Sequence, residues 1–155
     1  MNTLLERCIH EADGRYLTDS ELGTLDAYVS TYAVRMQTYT ILQEKSESFI
    51  LASLQQLAQT DAQTVRQHKD KCVRDMVCVM RAIAVAILRD DEQAFRDELL
   101  LWLQNILAAL HKEQQSSRAY RLLQDVIRKE MPEESAKLVN YYLDEFIAAL
   151  MAGLA

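Results

Sequence analysis

The sequence predicts an all-α protein, and three observations carry that prediction. Gly occurs 3 times and Pro once in 155 residues, so the residues that punctuate hairpins and sandwiches are almost absent, while Leu, Ala, Gln, Glu and Arg are plentiful. Apolar residues recur at spacings of three and four along most of the chain. A helix-start signal stands at Leu17 to Leu22, with Thr18 as N-cap, Glu21 as its capping-box partner and Leu17 with Leu22 as a hydrophobic staple. With 50% hydrophobic content the chain can bury one real core, and residues 1–155 are read as a single domain.

The elements follow in order. The first ten residues suit a short helix ending near the Asp13-Gly14 turn. From Thr18, Leu22, Leu25, Val29, Tyr32, Ala33 and Met36 form one stripe, read as core-facing, on a helix expected to run to about Glu44. A second helix covers roughly Ser46 to Gln59, with Phe49, Ile50, Leu54 and Leu57 inward. Thr60 to Gln67 is polar without Gly or Pro and reads equally as a loop or as the start of the next helix. From about His68 to Arg89 the chain is apolar almost all round after Asp75, which predicts a central helix covered on every side. Asp90 is expected to cap a helix from Asp91 to His111 that carries Trp102. Ser116 or Ser117 opens another, to about Glu130. Met131-Pro132-Glu133-Glu134 ends that helix and starts the last, which closes near Gly153. The expected architecture is a bundle of about seven helices around residues 72–89.

Charge and hydropathy narrow the function classes. A net charge of -6 and no concentrated basic face argue against a nucleic-acid partner. The most apolar run, Met76 to Leu88, is interrupted by Arg81 and is shorter than the roughly 20 residues of a bilayer span, so the chain is not read as membrane-spanning. The N-terminal residues lack a basic region followed by an apolar one, and a cytoplasmic location is expected. Cys8, Cys72 and Cys78 form no CxxC pair or metal-ligand series, and Cys8 and Cys78 are expected to be buried or half-exposed free thiols.

No nucleotide-binding, metalloprotease or serine-hydrolase motif occurs, so the chain is read as a non-enzyme with no catalytic residues. His68 and His111 are weak candidates for a haem ligand, against the commoner reading of a histidine at a helix end as solvated or capping. His68 to Asp75 is more distinctive. Cys72 and Asp75 share a helical face at i, i+3, and Arg74 points elsewhere. Lys69, Lys71 and Arg74 favour the thiolate, the form that adds to an electrophilic vinyl or ethylidene group. The same residues also read as an ion-paired helix start.

HKDKCVRDMVCVMR, with Lys71, Cys72, Arg74, Asp75 and Arg81 in order, resembles the bilin-attachment segment of phycobiliproteins of the phycocyanin and allophycocyanin α type. Ala12 to Leu22 resembles that family's entry into its first long helix, and Asn140 to Asp144 with Ile147 to Leu150 its C-terminal helix. The resemblance implies a globin-like helical bundle with a short N-terminal extension, residues 1–16, on a core of residues 17–155. It implies a thioether from Cys72 to a linear tetrapyrrole of the phycocyanobilin type, with Asp75 accepting from pyrrole N–H groups and Lys71 and Arg74 meeting the propionates. Asp13 and Arg81 match interface positions, which implies a homodimer or a heterodimer with a phycobiliprotein-like subunit. A bilin lyase or bilin-biosynthesis enzymes, and association with the thylakoid surface, belong to the same expectation.

The chain also departs from that pattern. The Gly- and Pro-containing loop before the attachment cysteine is shortened to Gln59 to Gln67, Cys78 and Val79 replace a tyrosine pair, Glu98 replaces a pocket tyrosine, and Trp102 replaces a small residue. Two functions are therefore expected: a minor antenna-associated or pigment-carrier protein, or a non-antenna relative. The second would bind bilin, haem or partner proteins transiently in bilin biosynthesis, phycobilisome assembly or turnover.

Overall fold

The computed structural model describes residues 2–106 and 113–152. Among them the helices are α1 (Thr3–Glu11), α2 (Asp19–Ser30), α3 (Tyr32–Thr60), α4 (Ala62–Arg89), α5 (Glu92–Ile106), α6 (Glu113–Glu130) and α7 (Glu133–Ala152), with no strand. The core is built where α3 packs along α4 and where α6 and α7 close over that pair. Ile50, Ile83, Leu123, Ile127, Val139 and Leu143 are fully enclosed at its centre. Around them the buried residues of each helix recur at three- and four-residue spacings, as Ile50, Ser53, Leu54 and Leu57 do on α3 and Met76, Met80, Ile83 and Ile87 on α4, so each helix turns one stripe inward.

The N-terminal elements are set by caps. The buried Asn2 side chain accepts from the Leu5 N–H at 2.8 Å and starts α1, which buries Leu5. Gly14, at φ 79°, makes the turn that a residue with a Cβ rarely adopts. The predicted capping box forms: Thr18 accepts from the Glu21 N–H, and Glu21 accepts from the Thr18 N–H at 2.8 Å. Glu21 also takes a two-pronged bond from Arg15, at 2.9 and 3.0 Å. That bond first, and the Thr18 N–H second, bring its carboxyl down to about 2.

Several expectations are corrected. The stripe Leu22, Leu25, Val29, Tyr32 and Met36 does not face the core: these residues are 36–60% exposed, and α2 buries none of its residues. Periodicity reports an apolar face without saying what covers it. The helix does not run from Thr18 to Glu44; it breaks at Thr31, where the Arg35 side chain takes hold of Thr31 Oγ1 at 3.0 Å and the Tyr28 carbonyl. No break occurs at Lys45, because Glu44 and Lys45 merely supply the exposed face of a continuous α3. Residues 62–67 are helix and not loop, started by Asp61, whose side chain accepts from the Thr64 N–H.

The end of α4 differs as well. Asp90 does not cap the next helix; it sits in the left-handed conformation, φ 53°, as the C-cap of α4. The N-terminal cap of α5 is the buried Asp91, which accepts from the Ala94 N–H at 3.1 Å and from both the N–H and the hydroxyl of Thr3, at 3.0 and 2.8 Å. Burial alone would raise the Asp91 carboxyl, but these hydrogen bonds together with the Arg89 charge outweigh it and hold it below the ordinary range. α6 is already helical at Glu113, ahead of Ser116. His111 and Gly153 lie outside the described residues.

Candidate functional site

α4 is central but not covered on every side. Lys71, Arg74, Cys78, Arg81 and Val85 recur at intervals of three and four and are all exposed, so one stripe of the helix stays open. Cys78 is therefore an exposed thiol rather than a buried or half-buried one, and Cys8 is half-buried. The opposite stripe, Met76, Met80, Ile83 and Ile87, is core.

Cys72 and Asp75 lie on the flank between those two stripes, both half-buried. Cys72 packs against the edge of the core, while Lys71 and Arg74 stand outside it in solvent. One face of α4 thus carries a thiol and a carboxylate one turn apart, with two cations on the adjacent face. Burial raises the Asp75 carboxyl above its ordinary value, and Lys71 and Arg74 only partly offset that effect. No hydrogen bond or ion pair to its carboxylate occurs among the described residues. A half-buried acceptor without a protein partner is chemically suited to donors brought by a ligand.

Beyond Asp75 the same flank continues into a cavity of about 260 Å³, lined by Cys78, Val79 and Ala82 of α4 and by Phe95, Glu98 and Leu99 of α5. Phe95 is fixed there by an edge-on contact with Tyr142, ring centroids 5.0 Å apart. Pockets that enclose drug-sized ligands hold roughly 300–1,000 Å³. The α4–α5 cavity lies just below that range, and the open face of α4 adjoins it. The mixed lining, apolar walls with a thiol and a carboxylate at the rim, suits an amphipathic ring system.

Of the residues singled out in the sequence, Lys71, Cys72, Arg74 and Asp75 fall within one turn, and Glu98 joins Cys78 and Val79 at the cavity. Arg81 is exposed on α4 and Asp13 is exposed in the turn after α1, with no ion pair between them among the described residues. His68 is half-buried one turn before Cys72. The described residues contain no group of three His, Cys, Asp or Glu side chains able to hold a metal. The Trp102 side chain lies outside the described residues.

Sequence reasoning missed Tyr120. It is 4% exposed on the inner face of α6, and its hydroxyl pKa is pushed well up, first by burial and then by Asp75, Cys72 and Cys78. The residue stands 45 or more positions from the Cys72–Asp75 turn in sequence, a relationship that helical periodicity does not encode. The local signal is a tyrosine on an inward stripe that carries Ala119, Leu123, Val126 and Ile127 together with the buried Gln124.

A family model described as "Phycobilisome protein" matches residues 8–150. No curated protein matches the chain. The match takes in α2 to α6, the last turn of α1 and nearly all of α7, including the whole of the Cys72 turn and both walls of the α4–α5 cavity. The chain belongs to the phycobilisome protein family, whose globin-like all-α fold it adopts.

Proposed function

We propose that the chain is a non-enzymatic, phycobiliprotein-like protein that holds a linear tetrapyrrole of the phycocyanobilin type along the Cys72 flank of α4. The observation that carries this reading is the placement, on one half-buried face that leads into the α4–α5 cavity, of Cys72 and of the Asp75 carboxylate, which has no hydrogen-bond or ion-pair partner among the described residues. Cys72 supplies the sulfur of a thioether, its thiolate adding across the ethylidene double bond while the other carbon of that bond takes up the proton, so that no group leaves. Asp75 accepts from pyrrole N–H groups, exchanging an unfavourable half-buried charge for charge-assisted hydrogen bonds. Lys71 and Arg74, exposed beside it, meet the propionates. A bound bilin supplies visible absorption through its conjugated rings; the helix face supplies attachment, orientation and rigidity.

The apolar stripe of α2 and the start of α3 fits a partner subunit, either a second copy or a phycobiliprotein-like chain, with Asp13 and Arg81 as interface charges. Membership of a phycobilisome family favours a site of action at the cytoplasmic surface of the thylakoid, and no described helix is long and apolar enough to cross a membrane. Residues 1–155 form one domain in this reading. The extension is better drawn to Ser30 than to residue 16, because α2 contributes nothing to the core.

A second reading is a non-antenna role in bilin biosynthesis, phycobilisome assembly or turnover, with a bilin lyase or a biosynthetic enzyme as partner. The specific observation in its favour is the cavity itself: at about 260 Å³ it encloses only part of a tetrapyrrole, and Cys78 and Glu98 stand at its rim. Haem bound through His68 or His111 is the remaining alternative, tested by the Soret band of the haem-titrated protein and of His68→Ala and His111→Ala.

Co-expression with a bilin-producing pathway and a lyase distinguishes these readings. A denaturation-resistant, zinc-fluorescent adduct that disappears in Cys72→Ala supports covalent attachment. A pigment that co-purifies but is lost on denaturation supports transient carriage, and no pigment under either condition rules out a bilin role.

A further inference from the structure

We infer that Glu98 determines what enters the α4–α5 cavity: it admits an uncharged, N–H-bearing end ring of a tetrapyrrole and turns away the carboxylate-bearing part. The inference rests on the tetrapyrrole reading above and adds to it which end of the ligand is enclosed.

The cavity has a distinct floor and mouth. Val79 of α4 and Phe95 and Leu99 of α5 are buried, Ala82 is half-buried, and together they make an apolar floor. Cys78 and Glu98 line the same cavity but are exposed, so they stand at its mouth, one on each helix. Among the described residues that line it, Glu98 alone carries a formal charge. No hydrogen bond or ion pair to the Glu98 carboxylate occurs among the described residues. Arg81 follows Cys78 by three positions on the exposed stripe of α4, and it neither lines the cavity nor pairs with Glu98.

A negative charge at the mouth of an apolar cavity selects by charge. A carboxylate brought there meets a like charge and loses water at the same time, and both effects are unfavourable. An uncharged ring with an N–H loses less water and gives Glu98 a charge-assisted hydrogen bond. The charges are also ordered along α4: Lys71 and Arg74 precede Asp75, and the mouth opens at Cys78, one turn beyond it. A linear tetrapyrrole carries its propionates on the inner rings and lactam N–H groups on the end rings. Its anionic part is therefore drawn to Lys71 and Arg74, and an end ring is the part that fits past Glu98. The tyrosine that the family pattern has in place of Glu98 carries no charge, so this selection is particular to this chain.

Three probes titrated into the pigment-free full chain test this: indole, benzofuran, which has the same shape without the N–H, and indole-2-carboxylate. The methyl signals of Val79, Ala82 and Leu99 report occupancy of the cavity. Indole should bind most tightly and indole-2-carboxylate most weakly. Glu98→Gln should raise the affinity for indole-2-carboxylate by about three- to tenfold and leave that for benzofuran unchanged. Glu98 is exposed, and a melting curve checks that the variant folds. Indole-2-carboxylate bound equally by wild type and Glu98→Gln, or none of the three probes moving these methyls, overturns the inference. In the chain co-expressed with the bilin pathway and lyase, Glu98→Gln should keep the Cys72 adduct and shift its visible absorption maximum. An adduct whose maximum is unmoved overturns the inference and leaves the tetrapyrrole reading standing. A wild type that takes up no pigment overturns both.

Discussion

The Arg35 guanidinium donates to the Leu88 carbonyl, 53 residues away at the end of α4, while its other arm donates to the Tyr28 carbonyl at the end of α2. Its Nε donates to Thr31 Oγ1 at 3.0 Å, and its Cζ lies 4.3 Å from the centroid of the Tyr28 ring. This arginine is 2% exposed and has no carboxylate partner among the described residues, so it is held by carbonyl dipoles and an aromatic face. It fixes the α2–α3 bend to the helix that bears the candidate site. Arg35→Met removes the charged donor from the Leu88 carbonyl and leaves the Tyr28 carbonyl with only the Thr31 hydroxyl at 3.4 Å, and a hydrogen bond to a charged group contributes about 1.5–3 kcal/mol. A loss of about 2–4 kcal/mol in urea unfolding is expected.

Asp91 ties α1 to the start of α5 through Thr3. Its carboxyl lies lower in the folded chain than in the unfolded one, so its stabilising contribution is present above the ordinary carboxylate value of 3.8 and is lost as pH falls through the folded value. Asp91→Ala removes the α5 cap and both Thr3 bonds, at a cost of about 1–2 kcal/mol. Amide exchange of α1 in the wild type should accelerate below that pH, and in Asp91→Ala it should be fast at neutral pH as well. Equal protection of α1 in both proteins at pH 7 contradicts this.

Asp75 titrates in the opposite sense. Its carboxyl is raised in the folded chain, so the fold is favoured while the group is protonated, and that advantage disappears as pH rises through the folded value. Asp75→Asn in the pigment-free protein should therefore melt higher than wild type at pH 7, the difference closing below 3.8. The same substitution should weaken pigment retention, because an amide offers one acceptor oxygen where the carboxylate offers two. Melting curves at several pH values, with pigment yield measured in parallel, test both halves.

Leu25→Glu combined with Val29→Glu places two charges on the exposed stripe of α2. Neither position is buried in the monomer, so stability should change by no more than about 0.5 kcal/mol. Association with a second copy or with a phycobiliprotein-like subunit should fall sharply. Light scattering on the purified chain, alone and mixed with such a subunit, measures this; unchanged mass with a partner present contradicts the assigned interface.

The fold was legible where local chemistry decides it. The Thr18–Glu21 capping box, the Pro132 start of α7 and the inward stripe of Phe49, Ile50, Leu54 and Leu57 all stand as read. The α2 stripe shows the limit, since a periodic apolar face looks the same whether it meets its own core or another chain. The break at Thr31 was hidden because no Gly or Pro marks it; the bend depends on Arg35 reaching Leu88 across the fold. The cap at Asp91 was hidden for a like reason, its partner Thr3 being 88 residues distant. At the site, the spacing from Lys71 to Asp75 was legible because helical geometry alone puts those residues on adjoining faces. The α5 wall of the cavity comes to that flank through tertiary packing, which one sequence does not reveal.

The central claim is that the half-buried flank of α4 is a tetrapyrrole attachment face with Cys72 as its thiol. Proteolysis of the pigmented protein, followed by mass spectrometry of every cysteine-containing peptide, tests it most directly. The account predicts a bilin mass on the peptide containing Cys72, with Cys8 and Cys78 unmodified. Pigment on Cys78 or Cys8, or on no cysteine at all in a chain co-expressed with bilin and lyase, would contradict it.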